Sequence, residues 1–94
     1  MKYCLRRTGG VAECIVISDG LTVKLMADGI EFGRDGVTGQ NKLALAILND
    51  YCQRKGLPPH VAMRHYSEFK WWFIADANDQ TDITETQIRE FLRK

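Results

Sequence analysis

Residue types with chemistry to offer are few in this chain, and most are badly spaced for catalysis. His60 and His65 stand five apart, so one helix face cannot present both to a metal at i, i+4. Cys4, Cys14 and Cys52 form no C-x-x-C pair and are odd in number, which argues against both a zinc site and a disulfide framework. Cys4 and Cys14 would face each other across a first hairpin only if its turn held three residues, whereas a two-residue Gly9-Gly10 turn puts them out of register. Neither Ser67 nor Cys52 stands in a nucleophile motif, and Cys52 falls on the apolar face of a helix. An enzyme would need a site assembled wholly by tertiary contacts. The expectation is a non-enzymatic chain with no metal and no cofactor.

Two groupings point instead to binding. The first is the pair Trp71-Trp72, in a stretch whose buried stripe reads Ala62, Tyr66, Phe69 and Phe73. At about 100° per residue, Trp71 points almost directly away from that stripe and Trp72 sits at its boundary. The same outward face carries His60, Arg64, Ser67 and Glu68. Exposed Trp and Arg are enriched at binding hot spots, so Trp71, Trp72, Arg64, His60 and Glu68 are the candidate partner-binding residues. The competing reading is that the helix ends early, or that the sheet or the N-terminus covers Trp71.

The second grouping is Gly33, Gly36 and Gly39 ahead of a helix start. Free N–H groups and the helix dipole attract anions there, which makes Arg34, Thr38, Gly39 and Lys42 a candidate anion site. The spacing matches neither G-x-x-x-x-G-K-[ST] nor G-x-G-x-x-G, and glycines that supply positive φ angles explain the same residues. Nucleic-acid binding through this loop would rest on charge alone, because no RNP-like strand pair, helix-turn-helix or zinc-finger spacing is present. Arg54 and Lys55 have a structural use at a helix C-terminus. Asp76, Asp79, Asp82 and Glu85, spaced by threes through the turn before the last helix, lack the alternate ligands and central glycine of a calcium loop and read as a solvated face, the alternative being an acidic patch that engages a basic surface on a host protein.

These residues must be positioned by a small scaffold. Ninety-four residues allow one hydrophobic core, and 45% apolar with 27% charged residues is a globular composition. A formal charge of +1 gives no global field toward nucleic acid or anionic membrane. No apolar run is long enough to span a bilayer and no signal-peptide core opens the chain, so a cytoplasmic, membrane-free protein is expected.

Tyr3 to Thr8 and Val11 to Ser18 read as strands about Gly9-Gly10, and Ser18-Asp19-Gly20 leads into a third strand, Leu21 to Leu25. Ile30 to Phe32 would add an edge strand. Helix one should begin near Thr38, its cap, and stop at Gly56, burying the rows Leu43, Ile47, Tyr51 and Ala44, Leu48, Cys52. Pro58 and Pro59 suit the first turn of helix two, which should end near Asp76 to Asp79. Thr84 and Gln87 have capping-box spacing for a last helix with Ile88, Phe91 and Leu92 on its apolar stripe. Strands first and helices after, without βαβ alternation, predict an α+β single domain with a three-stranded antiparallel meander packed against about three helices.

The middle of the chain also resembles a known family. Phe32-Gly33, Gly36, Gly39, Leu43-Ala44-Leu45-Ala46-Ile47-Leu48, Asp50-Tyr51, Tyr66, Phe69-Lys70, Ile74-Ala75 and Ile83-Thr84 with Ile88 are similar to an uncharacterised family of short bacterial and bacteriophage proteins, a domain of unknown function. The resemblance covers about the last two-thirds of the chain, with a weaker echo at Asp19-Gly20. It implies a fold but no known activity or catalytic residue. It also implies a setting, in which proteins of this size bind and block host machinery such as a defence complex, as anti-CRISPR proteins do. Where family members carry polar or basic residues after Phe-Lys, this chain has Trp71-Trp72. The expected partner is a host protein or ribonucleoprotein complex; the alternative is an anion- or nucleic-acid-binding module built on the glycine-rich loop.

Overall fold

The computed structural model describes residues 1–8, 11–26, 37–75, 77, 78 and 80–93, with the backbone alone for Arg7, Thr8, Val11, Ala12, Met26, Val37 and Thr38. Its elements are β1 (Lys2–Thr8), β2 (Val11–Ser18), β3 (Leu21–Met26), α1 (Val37–Lys55), α2 (His60–Phe69), a π-helical turn (Lys70–Ile74), β4 (Gln80–Thr84) and α3 (Glu85–Leu92). The fold is α+β: a four-stranded antiparallel sheet in the order β3-β2-β1-β4 with helices packed on it. The expected extended piece at Ile30 to Phe32 lies outside the described residues.

Residue chemistry explains each boundary. Asp19 and Gly20 both take positive φ, 53° and 79°, the two-residue turn whose twist matches a hairpin. Thr8 pairs with Val11, so the first connection also has two residues, and Cys14 stands opposite Leu5 while Cys4 stands opposite Ile15. Neighbouring strand positions point to opposite faces, so the two thiols are on opposite sides of the sheet and no bridge forms. α1 ends as its glycine predicts. Gly56 has φ 69° and Leu57 N–H donates to Cys52 O at 2.8 Å, a left-handed terminus that satisfies a free carbonyl. At the other end α1 begins at Val37, so Thr38 is its second residue rather than its cap.

The core sits between the helices and one face of the sheet. Tyr3, Leu5, Cys14, Val16 and Ile83 enter it from the strands, and both predicted rows of α1 are buried, from Leu43 to Cys52. One polar clamp crosses this layer: Tyr3 Oη donates to Asp50 Oδ2 at 2.7 Å, and Arg54 Nε donates to the same oxygen at 2.7 Å. Burial raises the Tyr3 phenol above its ordinary value, and the bond to Asp50 adds to the shift.

Two further expectations need correction. The residues read as a turn before the last helix include β4, which pairs with β1 from Lys2↔Thr84 to Arg6↔Gln80, so the sheet has four strands and not three. Only Ile83 of the strand is buried, and one apolar residue in five shows no alternation. Helix two also differs. After Phe69 the backbone shifts to i→i+5 bonding, Ala75 N–H donating to Lys70 O at 2.8 Å, and the helical path ends at Ile74, short of Asp76 to Asp79. Residues five apart then share a face: Phe69 and Ile74 are fully buried, as are Lys70 and Ala75 nearly so, while Tyr66 and Phe73, expected in the stripe, are half-buried.

Candidate partner-binding surface

α2 starts with Pro58 and Pro59 just ahead of it, residues that need donate no N–H in a first turn. Ala62 and Phe69 fix its inward side. The outward side then presents His60, Arg64, Ser67 and Glu68, all exposed, in the arrangement expected from their spacing. The path continues into the π turn with Trp71, 64% exposed, and Trp72, 55% exposed. No segment of the described chain covers Trp71.

The π turn is what makes two consecutive indoles face water. A turn widened by one residue places Phe69, Lys70, Ile74 and Ala75 inward, keeps Phe73 half-buried and leaves Trp71 and Trp72 outside. Such turns are uncommon and recur at functional sites. Each indole has its own support. Lys70, only 5% exposed, holds its ammonium 4.4 Å from the Trp71 ring centroid, a cation–π contact. Trp72 lies edge-on to Phe91 at 5.4 Å and tilted to Phe73 at 6.0 Å, within an aromatic cluster that also joins Phe69 to Phe73 and Phe91. An aromatic side chain held this way loses little freedom when a partner covers it.

Beside the indoles is a hollow of about 270 Å³ between the π turn, β4 and the start of α3. Trp71, Trp72 and Phe73 form one wall, and Thr81, Asp82, Ile83 and Gln87 the other. Thr84 caps α3 with a complete box: Gln87 N–H donates to Thr84 Oγ1 at 3.2 Å, and Thr84 N–H donates to Gln87 Oε1 at 2.8 Å. Asp82 pairs loosely with Lys2 at 3.4 Å, both side chains nearly half exposed.

Sequence reasoning missed Lys70 as a support, Met63 as an exposed apolar neighbour at 60%, and the β4 wall. Met63 was assigned to neither face, whereas the hollow exists only once β4 has joined the sheet.

The alternative anion site is described only in part. Arg34 lies outside the described residues, as does the side chain of Thr38; Gly39 is buried inside the first turns of α1, and Lys42 is exposed one turn on. Thiol chemistry finds no support: Cys4, Cys14 and Cys52 are all buried, and burial raises each thiol, Cys14 up to about 12. Among the described residues no group of three His, Cys, Asp or Glu side chains gathers to hold a metal, and no helix is long and apolar enough to cross a membrane.

These features define a small α+β domain with an aromatic outer face. The chain belongs to a family of unknown function (DUF6166), whose model matches residues 13–94. No curated protein and no solved structure matches it.

Proposed function

We propose that this chain is a small non-enzymatic accessory protein that binds a host macromolecule through the face of α2 and the π turn. Trp71 and Trp72 are its anchors, with His60, Arg64 and Glu68 around them. One observation carries this reading: two adjacent indoles, each more than half exposed, stand on a π turn whose end residues, Lys70 and Ile74, are buried. Isolated exposed apolar residues are ordinary in soluble proteins, but a supported aromatic pair beside a hollow has the anatomy of a hot spot.

The likeness to short bacterial and bacteriophage proteins supplies the setting. We place the protein among phage or mobile-element products that act in the host cytoplasm, with a protein or ribonucleoprotein complex as partner and inhibition of a defence complex, in the manner of anti-CRISPR proteins, as the outcome. Net charge of +1 favours a protein surface over bare nucleic acid, because little counterion release is available to drive the latter.

Capture from host lysate followed by binding of the purified partner tests the proposal. Trp71→Ala should weaken binding by more than about 1 kcal/mol, roughly a fivefold rise in Kd, with melting nearly unchanged. Unchanged affinity, or a loss of stability alone, rejects it. A rise in Tm with nucleotides, or oligonucleotide affinity that falls steeply with salt, would favour the anion-binding module at Arg34, Thr38, Gly39 and Lys42 instead.

A further inference from the structure

The hydrogen-bond phase of β4 determines which of its backbone groups are unused. Glu85 N–H donates to Met1 O at 3.1 Å, and the register continues through Tyr3↔Ile83 and Leu5↔Thr81. Antiparallel ladders alternate between pairs that exchange both bonds and pairs that exchange none. Counting from Met1 and Glu85, the bonded pairs are Tyr3 with Ile83 and Leu5 with Thr81. Thr84, Asp82 and Gln80 therefore turn their N–H and C=O groups away from β1. Thr84 agrees with this phase, since its N–H goes to Gln87 Oε1 at 2.8 Å. Among the described residues, Asp82 and Gln80 make no backbone bond on that outer side.

That outer side borders the hollow walled by the indoles on one flank and by Thr81, Asp82 and Ile83 on the other. An unpaired edge is a template for another strand: main-chain bonds give affinity, and pockets for alternate side chains give specificity. We infer that the partner contributes an extended peptide segment that adds to the sheet as a fifth strand along β4, bonded to the backbone of Asp82 and Gln80. This deepens the proposed function and rests on it, because the same two indoles line the groove. The segment's side chains alternate between two environments. Those on the helix side meet Trp71 and Trp72 and are apolar or aromatic. The one on the opposite face sits beside the Asp82 carboxylate, whose contact with Lys2 at 3.4 Å is longer than a strong charge-assisted bond, so a basic residue complements it. Because the capping box consumes the Thr84 N–H, the added strand is short and takes its register from Gln80 and Asp82.

The probe is a set of peptides enriched from a displayed library of random twelve-residue sequences panned against the full chain. Amide exchange by NMR on the unmodified protein is expected to slow about tenfold at Gln80 and Asp82 when such a peptide binds, with little change at Thr81 and Ile83, already bonded to β1, and with a shift of the Trp71 indole. Asp82→Pro removes a donor that β1 does not use, and should lower peptide affinity about tenfold, whereas Asp82→Ala should lower it far less. If Asp82→Pro fails to fold, the exchange measurement stands alone. Peptides that shift the indoles but leave Gln80 and Asp82 unprotected overturn the added strand and leave the aromatic face intact. Protection at Gln80 and Asp82 with the indoles unmoved supports the strand and rejects the indole face. Failure to enrich any peptide, or protection that appears with protein concentration in the free chain, which would mean a second copy on the edge, overturns the inference.

Discussion

The sheet has two outer edges, and they are finished in different ways. On β3 the exposed apolar surface belongs to the strand itself: Leu21 is 70% exposed and Val23 53%, with Lys24 beside them paired to Glu13 at 3.5 Å. A lysine on an edge strand is a common guard against unwanted pairing. On β4 the strand is polar except for buried Ile83, and the exposed apolar surface stands next to it, on a turn braced by an aromatic cluster. Fractional exposure does not separate the two edges. What separates them is support: at β4 the indoles are held in place around a hollow, whereas Leu21 and Val23 stand exposed on the strand itself.

If support is the difference, mutations should sort by edge. The largest effect belongs to Phe69→Ala, because that ring is fully buried and packs on Phe73 at 4.8 Å and Phe91 at 5.5 Å; a loss of about 3–5 kcal/mol is expected in urea denaturation. A loss below about 1 kcal/mol would mean the aromatic cluster is not what braces the turn. Trp72→Ala should come next, at roughly 1–2 kcal/mol, since its ring is partly exposed but edge-on to Phe91 at 5.4 Å. Thermal melts of Trp71→Ala beside it should show a distinctly smaller change.

Between the edges, the centre of the sheet gives a pH test. Burial pushes the Cys14 thiol from its ordinary value of 9.0 up to about 12, so the folded state holds a proton that the unfolded chain releases. A raised value contributes stability that is complete below about pH 9 and lost as pH climbs toward 12, by at most about 1.4 kcal/mol per pH unit for this group. Cys14→Ala should flatten that alkaline decline in Tm. An equal slope in the variant would assign the decline to other groups, the Tyr3 phenol first among them. The smallest effect is expected on β3, where Val23 is exposed: Val23→Thr should change stability by no more than about 0.5 kcal/mol in the same denaturation assay. A cost above about 1 kcal/mol would show that β3 is packed more tightly than its exposure indicates and would erase the contrast between the edges.

Features written in local periodicity were legible before any coordinates. The twin rows of α1, the stop at Gly56, the Asp19-Gly20 turn and the Thr84–Gln87 box all have short-range signals, and the outward direction of Trp71 followed from helix geometry. Features made by tertiary contact were not. β4 offers one apolar side chain and acquires its identity by pairing with a strand about eighty residues away in sequence. Tyr3 and Asp50 meet across 47 residues with nothing local to announce it. The π turn sits between these cases: its residues were in view, but a backbone shift of one position moved Ile74 inward ahead of Phe73. The hollow depends on both β4 and the π turn, which is why the aromatic face was visible in the sequence and its opposite wall was not.

One feature of the architecture bears on how the molecule carries load. Thr84 is at once the last residue of β4 and the residue that starts α3, so strand and helix are joined with no slack between them. Sliding β4 along β1 by one position would drag the first turn of α3 with it, separate Glu85 from Met1 and pull apart the Glu85–Lys55 ion pair. The strand is thereby latched to the helix that follows it, and a force applied along the edge is shared by both elements.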